Sequence, residues 1–434
     1  MKMSEIINRV AGDEMYEFVK RIFPICRSLT GEGVRETLRL VKEQLPELEL
    51  KEVPCGTTVF DWKVPAEWNC TEAYIEDESG KRIIDFRENN LHVVGYSVPM
   101  DEYLTLDELK EIVHTLPDQP EWIPYVTSYY RPRSGFCMSQ TQLDSLKPGK
   151  YHAVIRSTLD EGGVLNYAEA YFPGETQEEI LISTYICHPS MANNECSGPT
   201  VTAWLGKYLK GLEQRHFSYR IIYVPETIGS ITWLSRNYEE KRLKERVKAG
   251  FVINCAGDDR TYSYVKTRYG NTLTDRVLDA VLRSHTDSFK AYSYLERGSD
   301  ERQFQSPLID LPVCSVCRSL FHNYPEYHTS ADDLTLVTPA GLYGSLELMA
   351  KVISVLEKNR CYMAQIPCEP QMGKRGLYST VSIKGSSNSS LDMMNVLAYC
   401  DGRNDLVQLA EITGLDVMTV LQITDRLAAE GIIL

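Results

Sequence analysis

From about residue 150 the chain alternates short apolar runs of strand length with amphipathic stretches of helical length. No other feature constrains its fold as much. "EEILISTYI", "YRIIYV", "FVINCA" and "LPVCSV" read as buried strands. Between the first two, "TVTAWLGKYLKGL" places Val201, Trp204, Leu205, Tyr208 and Leu209 on one helical face. "TLTDRVLDAVLRSH" and "PAGLYGSLELMAKVISVLEKN" continue the pattern. This alternation predicts an α/β fold, a mainly parallel sheet flanked by helices. Ligands in such sheets sit at the carboxyl ends of the strands, so chemistry is expected just after each apolar run.

The flanking regions have a different texture. Residues 1–48 read as helical, with Val34, Leu38, Val41 and Leu45 at helical spacing. From 49 to 128 aromatics, prolines and short alternating runs dominate, and "DESGK" reads as a hairpin turn. The expected organisation is therefore an α/β domain built from 1–48 and 129–360, an inserted β-rich domain at 49–128, and a small domain at 372–434. The last contains three short helical runs, a turn at Gly414 and a terminal "IIL", the pattern of a winged helix.

Charge decides what that module is expected to do. In 372–434 five basic residues (Lys374, Arg375, Lys384, Arg403, Arg426) face seven acidic ones, and the whole chain carries −14. Phosphate contacts supply most DNA affinity, so no nucleic-acid partner is expected, and packing or homo-oligomerisation is the better use of the module. "MKMSEIINRVAGDEMYEFVK" lacks the apolar stretch of a signal peptide, and no apolar run approaches bilayer length. A cytoplasmic protein without a membrane partner is expected. The twelve cysteines are scattered, and the single C-x-x-C, Cys314 and Cys317, has no second ligand pair to complete a zinc clip.

The strand-like runs end in residues of one chemical kind. His188 follows "ILISTYIC", Glu226 follows "RIIYVP", Asp258 and Asp259 follow "FVINCAG", and His328 comes shortly after "LPVCSVCRS". One sheet edge would gather all of them. Imidazole and carboxylate are the ligands of catalytic zinc, and a nearby Glu can take a proton from water. After His188 comes a polar stretch, "PSMANNECSG", with Asn193, Asn194 and Glu195.

The order H…N-N-x-x-S-G, P-E-T-I-G-S, Y-H-T-S-A-D resembles the zinc aminopeptidase clan. "VPAEW", "IPYVTSYYRPRSGFC", "ISTYICHPS", "PETIGSITWL", "GSDERQF" and "YPEYHTSADDL" resemble, more closely, a bacterial family of aminopeptidase-like proteins. Members of that family carry an inserted strand-rich domain and a C-terminal winged helix, and are often described near polysaccharide biosynthesis. The resemblance implies metal ligands at His188 and His328, with Glu226 as general base. It implies a bridging aspartate at the position of Asn194, a ligand Glu at Thr227 and a ligand Asp near Cys255, with Asp258 just beyond. It further implies substrate contacts at Tyr327, Asp300 and Glu301. This chain departs from the family pattern at Asn194, at Glu195 and at Tyr185, where Asp, Asn and His are usual. An amide offers a cation a neutral oxygen and cannot bridge two ions as a carboxylate does. Two functions follow as expectations. One is a hydrolase with a single zinc ion acting on a small-molecule or peptide amide. The other is a metal-poor relative that keeps the cleft for binding or assembly.

Overall fold

The computed structural model describes residues 7–377 and 388–434. Most of the Ser/Gly-rich "KGSSNSS", and Lys384, lie outside these residues. The described residues begin with two helices, Arg9–Ile22 and Glu32–Gln44, each with one apolar face buried. The strands of the two larger sheets follow in the order β1 (Glu49–Pro54), β2 (Glu67–Asp77), β3 (Arg82–Asp85), β4 (Met100–Thr105), β5 (Lys150–Asp160), β6 (Val164–Phe172), β7 (Glu179–Tyr185), β8 (Ser218–Val224), β9 (Val247–Ile253), β10 (Ser263–Val265), β11 (Lys290–Tyr292) and β12 (Val313–Cys317).

Eight of these form one sheet, ordered β1-β6-β8-β7-β9-β12-β10-β11. Its centre is parallel: β7 pairs with β8 and β9, and β9 with β12. Every residue of β7 and β8 is buried, as expected for strands covered on both faces. The helix Ser197–Gly211 packs so closely that a Cβ on Gly198 would lie 2.4 Å from the Ile253 carbonyl oxygen of β9. That approach is the physical reason for the "SG" opening of this helix.

The strand-rich insertion does not occupy 49–128. β1 belongs to the large sheet, antiparallel to β6. The four-stranded sheet β3-β2-β5-β4 draws one of its two longest strands, β5, from 150–160. Alternation in "KYHAVIRSTL" suits either sheet, and only pairing with β2 assigns it. The chain leaves the large sheet after Pro54 and returns at Val164.

The chain divides into two compact units, residues 1–270 with 290–346, and residues 271–289 with 347–434. The helix Leu273–His285 thus groups with the C-terminal module, where sequence periodicity had assigned it to the α/β layer. Within this unit Arg276 pairs with Asp405 at 2.8 Å and the Ser284 hydroxyl donates to Asp416 at 3.0 Å. The module's helices are Asn388–Ala398, Leu406–Thr413 and Val417–Ala429, with Gly414 in the left-handed region at the turn. Isolated bridges join Met363 to Asp401 and Ala364 to Ile433. Among the described residues no single helix is long and apolar enough to cross a membrane.

Candidate active site at the strand ends

Because β8, β7, β9 and β12 run parallel, the residues that follow them share one edge. The rings of His188 and His328 lie 5.3 Å apart, centroid to centroid. Tyr125 stands 5.1 Å from each ring, and Tyr327 stacks on His328 at 3.8 Å. Tyr125 comes from the long excursion between β1 and β6. It reaches the site because the Tyr125 N–H donates to the His328 carbonyl (2.9 Å) and the Ser330 N–H to that of Ile123 (2.9 Å).

His188 is 6% exposed and sits between two carboxylates. Its Nδ1 is 2.7 Å from Glu195 Oε2, and its Nε2 is 3.6 Å from Glu226 Oε2. Burial disfavours an imidazolium here, but Cys187 and Glu195 outweigh it and hold the His188 pKa well above the usual range. His328 is the reverse. Burial, and then the nearby His188, push it down to about 2, and its buried Nε2 has no hydrogen-bond partner among the described residues. Burial also raises Glu226, against a lowering contribution from His188.

Cys187, His188 and Glu195 place one potential ligand atom each within 4.8 Å of one another. This trio orients His188 and does not itself form a cation cage. A 2.7 Å approach is a hydrogen bond, the Cys187 sulfur accepts the Glu226 N–H at 3.2 Å, and burial raises the Cys187 thiol to about 12. A carboxylate on the far nitrogen of an imidazole is the arrangement that fixes metal-binding histidines.

The loop between His188 and the helix Ser197–Gly211 contains one π-helical turn, Ala192–Cys196. Asp332 holds its start, accepting the N–H groups of Asn193 (2.6 Å) and Asn194 (3.0 Å) and the Tyr324 hydroxyl (3.0 Å). Arg27, 1% exposed, holds both of its ends, donating to the His188 carbonyl (3.1 Å) and the Cys196 sulfur (3.2 Å). Neither Asp332 nor Arg27 was singled out by spacing. Asp332 lies inside "YHTSADD", whereas a buried Arg between two helices leaves no periodic trace.

Several expected ligands have other employment. Asp258 is a structural brace. It accepts from the Asn193 amide (3.1 Å), from Ser319 N–H and hydroxyl (2.9 Å each) and from the Arg260 N–H (3.0 Å), which leaves no free carboxylate edge for a cation. Asp259 is exposed and accepts from the Thr338 hydroxyl. Asn194 does lie in the cleft. Its amide donates to the Tyr185 hydroxyl (2.9 Å) and towards Cys255 (3.5 Å), and its Oδ1 is buried without a partner. Thr227 is the centre of a γ-turn, φ 65° and ψ −75°, closed by Ile228 N–H to the Glu226 carbonyl at 2.8 Å. This is a strained conformation for a β-branched residue, and it fixes the Glu226 backbone.

Asp300 and Glu301 were expected to touch substrate. Both are fully buried and bound to backbone instead. Asp300 accepts the Thr227 N–H (2.7 Å) and the Ser230 hydroxyl (2.8 Å), so it supports the Glu226 turn from below, and burial followed by Glu226 raises it to about 8. Glu301 accepts the N–H groups of Gly298 and Ser299.

A large mixed sheet with imidazoles and carboxylates at its parallel strand ends defines an aminopeptidase-like protein. Comparison with known proteins carries the assignment further. A family described as a domain of unknown function (DUF4910) matches residues 16–359, and a winged helix-turn-helix family matches 360–434. A Clostridium acetobutylicum protein, provisionally named a polysaccharide biosynthesis protein with aminopeptidase-like domain, is 44% identical over 420 residues, 96% of this chain and 95% of that one. A crystal structure of a provisionally assigned peptidase from the same organism superposes with a TM-score of 0.92 at 41% identity, covering all of both chains. The zinc aminopeptidase BSAP from Bacillus subtilis shares the fold alone, with a TM-score of 0.58 at 11% identity over 79% of this chain and 94% of that one. The chain belongs to the DUF4910 family. It combines the zinc aminopeptidase-like α/β fold with a C-terminal winged helix.

Proposed function

We propose that the protein is a hydrolase that uses one zinc ion to cleave an amide in a small amino-acid-like or peptide substrate. One observation carries this reading: two imidazoles 5.3 Å apart, with a carboxylate 3.6 Å from the unspent Nε2 of His188. Imidazole centroids about 5 Å apart suit two histidines on one tetrahedral zinc with Zn–N bonds of about 2.0–2.1 Å. The unpartnered Nε2 of neutral His328 also fits a ligand, and the tendency of His188 to hold positive charge marks a point favourable to a cation. A second ion does not fit. Asn194, Tyr185, Thr227 and Cys255 form no carboxylate bridge, and the amide of Asn194 is turned towards Tyr185.

His188 and His328 would hold the ion, with the unpartnered neutral Oδ1 of Asn194 as a weak third ligand and Glu195 fixing the His188 ring. Zinc there would polarise the amide carbonyl and the attacking water. Glu226 takes the proton of that water as its oxygen attacks the carbonyl carbon. As the C–N bond breaks, Glu226 returns the proton to the departing amine nitrogen. The raised pKa of Glu226 suits both halves of this exchange. Tyr327, only partly buried beside His328, lies where it can line the substrate pocket.

The test is zinc content after equilibration with Zn²⁺, run beside hydrolysis of a panel of aminoacyl amides. Uptake of one ion per chain with chelator-sensitive hydrolysis is expected. Absence of both would favour the other reading, a cleft kept for binding, which the neutral Asn194–Tyr185 pair favours.

The winged-helix module is of a kind that binds DNA in other proteins, but its third helix is poorly suited to phosphate. Its exposed positions are Gln422, Asp425, Arg426 and Ala429, followed by Glu430, and Lys358 pairs with Asp425 at 3.1 Å. We infer that it does not bind duplex DNA at physiological salt. A submicromolar, salt-sensitive anisotropy titration with the full chain would overturn this.

A further inference from the structure

Arg302 lies at the Glu226 turn without an acidic partner. It belongs to the short helix Glu301–Phe304, which follows directly on Asp300, the residue that supports that turn. Its Nη2 donates to the Thr227 hydroxyl at 2.6 Å. Its charge lowers both Glu226 and Asp300, so the guanidinium stands close to the proposed base. The residue is exposed, and among the described residues it forms no ion pair.

The Thr227 side of this contact is unusually fixed. The γ-turn leaves Thr227 little backbone freedom, and its N–H is tied to Asp300. The hydroxyl is therefore a stationary acceptor that anchors one edge of the guanidinium. A carboxylate at position 227 would neutralise Arg302. A hydroxyl takes one of its N–H groups and leaves the charge and the other donors available. A planar, anchored guanidinium that faces solvent and forms no ion pair among the described residues is a receptor for a carboxylate, which it can grip through two parallel hydrogen bonds.

We propose that Arg302 is a specificity-determining residue, which binds a carboxylate on the amine side of the scissile amide. This rests on the reading of Glu226 as the base of an amide hydrolase. An α-carboxylate lies one carbon from the scissile nitrogen, and Arg302 is anchored on the residue next to Glu226. The substrates are then amides of an amino acid whose carboxylate is free. Two sources share that chemistry: a dipeptide, and an amino acid acylated on nitrogen by a group other than an aminoacyl.

Binding to the full chain carrying Glu226→Gln tests this without turnover. Alanylalanine, its C-terminal amide and N-acetylalanine are titrated by calorimetry in the presence of Zn²⁺. Alanylalanine should bind about tenfold or more tightly than its amide, as a charge-assisted pair implies. Adding Arg302→Met should bring that ratio close to one, Arg302→Lys should keep part of it, and Thr227→Val should reduce it. N-acetylalanine binding as well as alanylalanine would identify acylated amino acids as substrates, and weaker binding would identify dipeptides. Equal affinity for alanylalanine and its amide, no binding of either, or a preference that survives Arg302→Met would overturn the proposal. If the unmodified chain binds alanylalanine with this preference but never hydrolyses it, the hydrolase reading falls and the role of Arg302 stands.

Discussion

Two histidines in the first unit are each flanked by two carboxylates, and only one has a nitrogen to spare. On the face of the inserted sheet, His152 has Nε2 at 2.7 Å from Asp101 and Nδ1 at 3.0 Å from Glu76, with Tyr103 stacked on its ring at 4.3 Å. At the strand ends, His188 has Nδ1 at 2.7 Å from Glu195, but Nε2 stands 3.6 Å from Glu226, beyond a hydrogen bond. The shorter distances exhaust the first imidazole and make it a structural clamp. The gap of 3.6 Å, together with burial and a second imidazole, makes the other the candidate for a site. Ligand types alone do not distinguish the two, and geometry does.

The largest effect that would break this comparison lies at Glu226. If it is the base, Glu226→Gln should lower hydrolysis by about 10²–10⁴-fold while zinc still binds. Parallel loss of zinc affinity and activity would make Glu226 a ligand and would leave the base unassigned. Next comes Glu195→Gln, which keeps the shape and removes the charge that fixes His188. Zinc affinity should fall by about 10–100-fold, measured against a competing chelator. The matching change on the other histidine, Asp101→Asn, should leave zinc affinity unchanged.

A smaller gain is expected from Asn194→Asp. The new carboxylate would accept the Tyr185 hydroxyl where the amide now donates, and its second oxygen would fall at the unpartnered Oδ1. Zinc should bind about tenfold more tightly or better, since even an outer partner matters that much. Unchanged affinity would mean that this side of the cleft does not face the ion. The same position shows how far the sequence could be read. The apolar runs located His188, Glu226 and His328 after parallel strands, because alternation and strand ends are local properties. Glu195 read as a carboxylate one residue out of place. Its actual direction depends on the π-helical turn and on Asp332 and Arg27, which come from 137 residues later and 168 residues earlier in the chain. Asp258 looked like a ligand because its partners Asn193 and Ser319 are distant in sequence. Tyr125 was invisible as a site residue for the same reason, arriving from a segment that pairs with 328–330.

The smallest effect concerns the clamp, and its sign separates it from the site. Hydrogen bonds to Asp101 and then to Glu76 raise the His152 pKa above its usual value of about 6.5. A group whose pKa is raised on folding stabilises the fold fully below its unfolded pKa, and that contribution disappears as the pH rises through the folded pKa. Asp101 has the opposite shift, lowered first by His152, so its share is lost as the pH falls through the folded pKa of the carboxylate. The triad therefore contributes most between the ordinary carboxylate and imidazole ranges. His152→Gln should lower the melting temperature by no more than a few degrees near pH 5.5, and by less near pH 8, because exposed ion pairs are weak. Salt should shrink the difference further. Melting curves of the two proteins across that pH range are the measurement. A deficit that grows with pH would mean that His152 is stabilising as a neutral ring packed on Tyr103, and the contrast between clamp and site would then rest on burial alone.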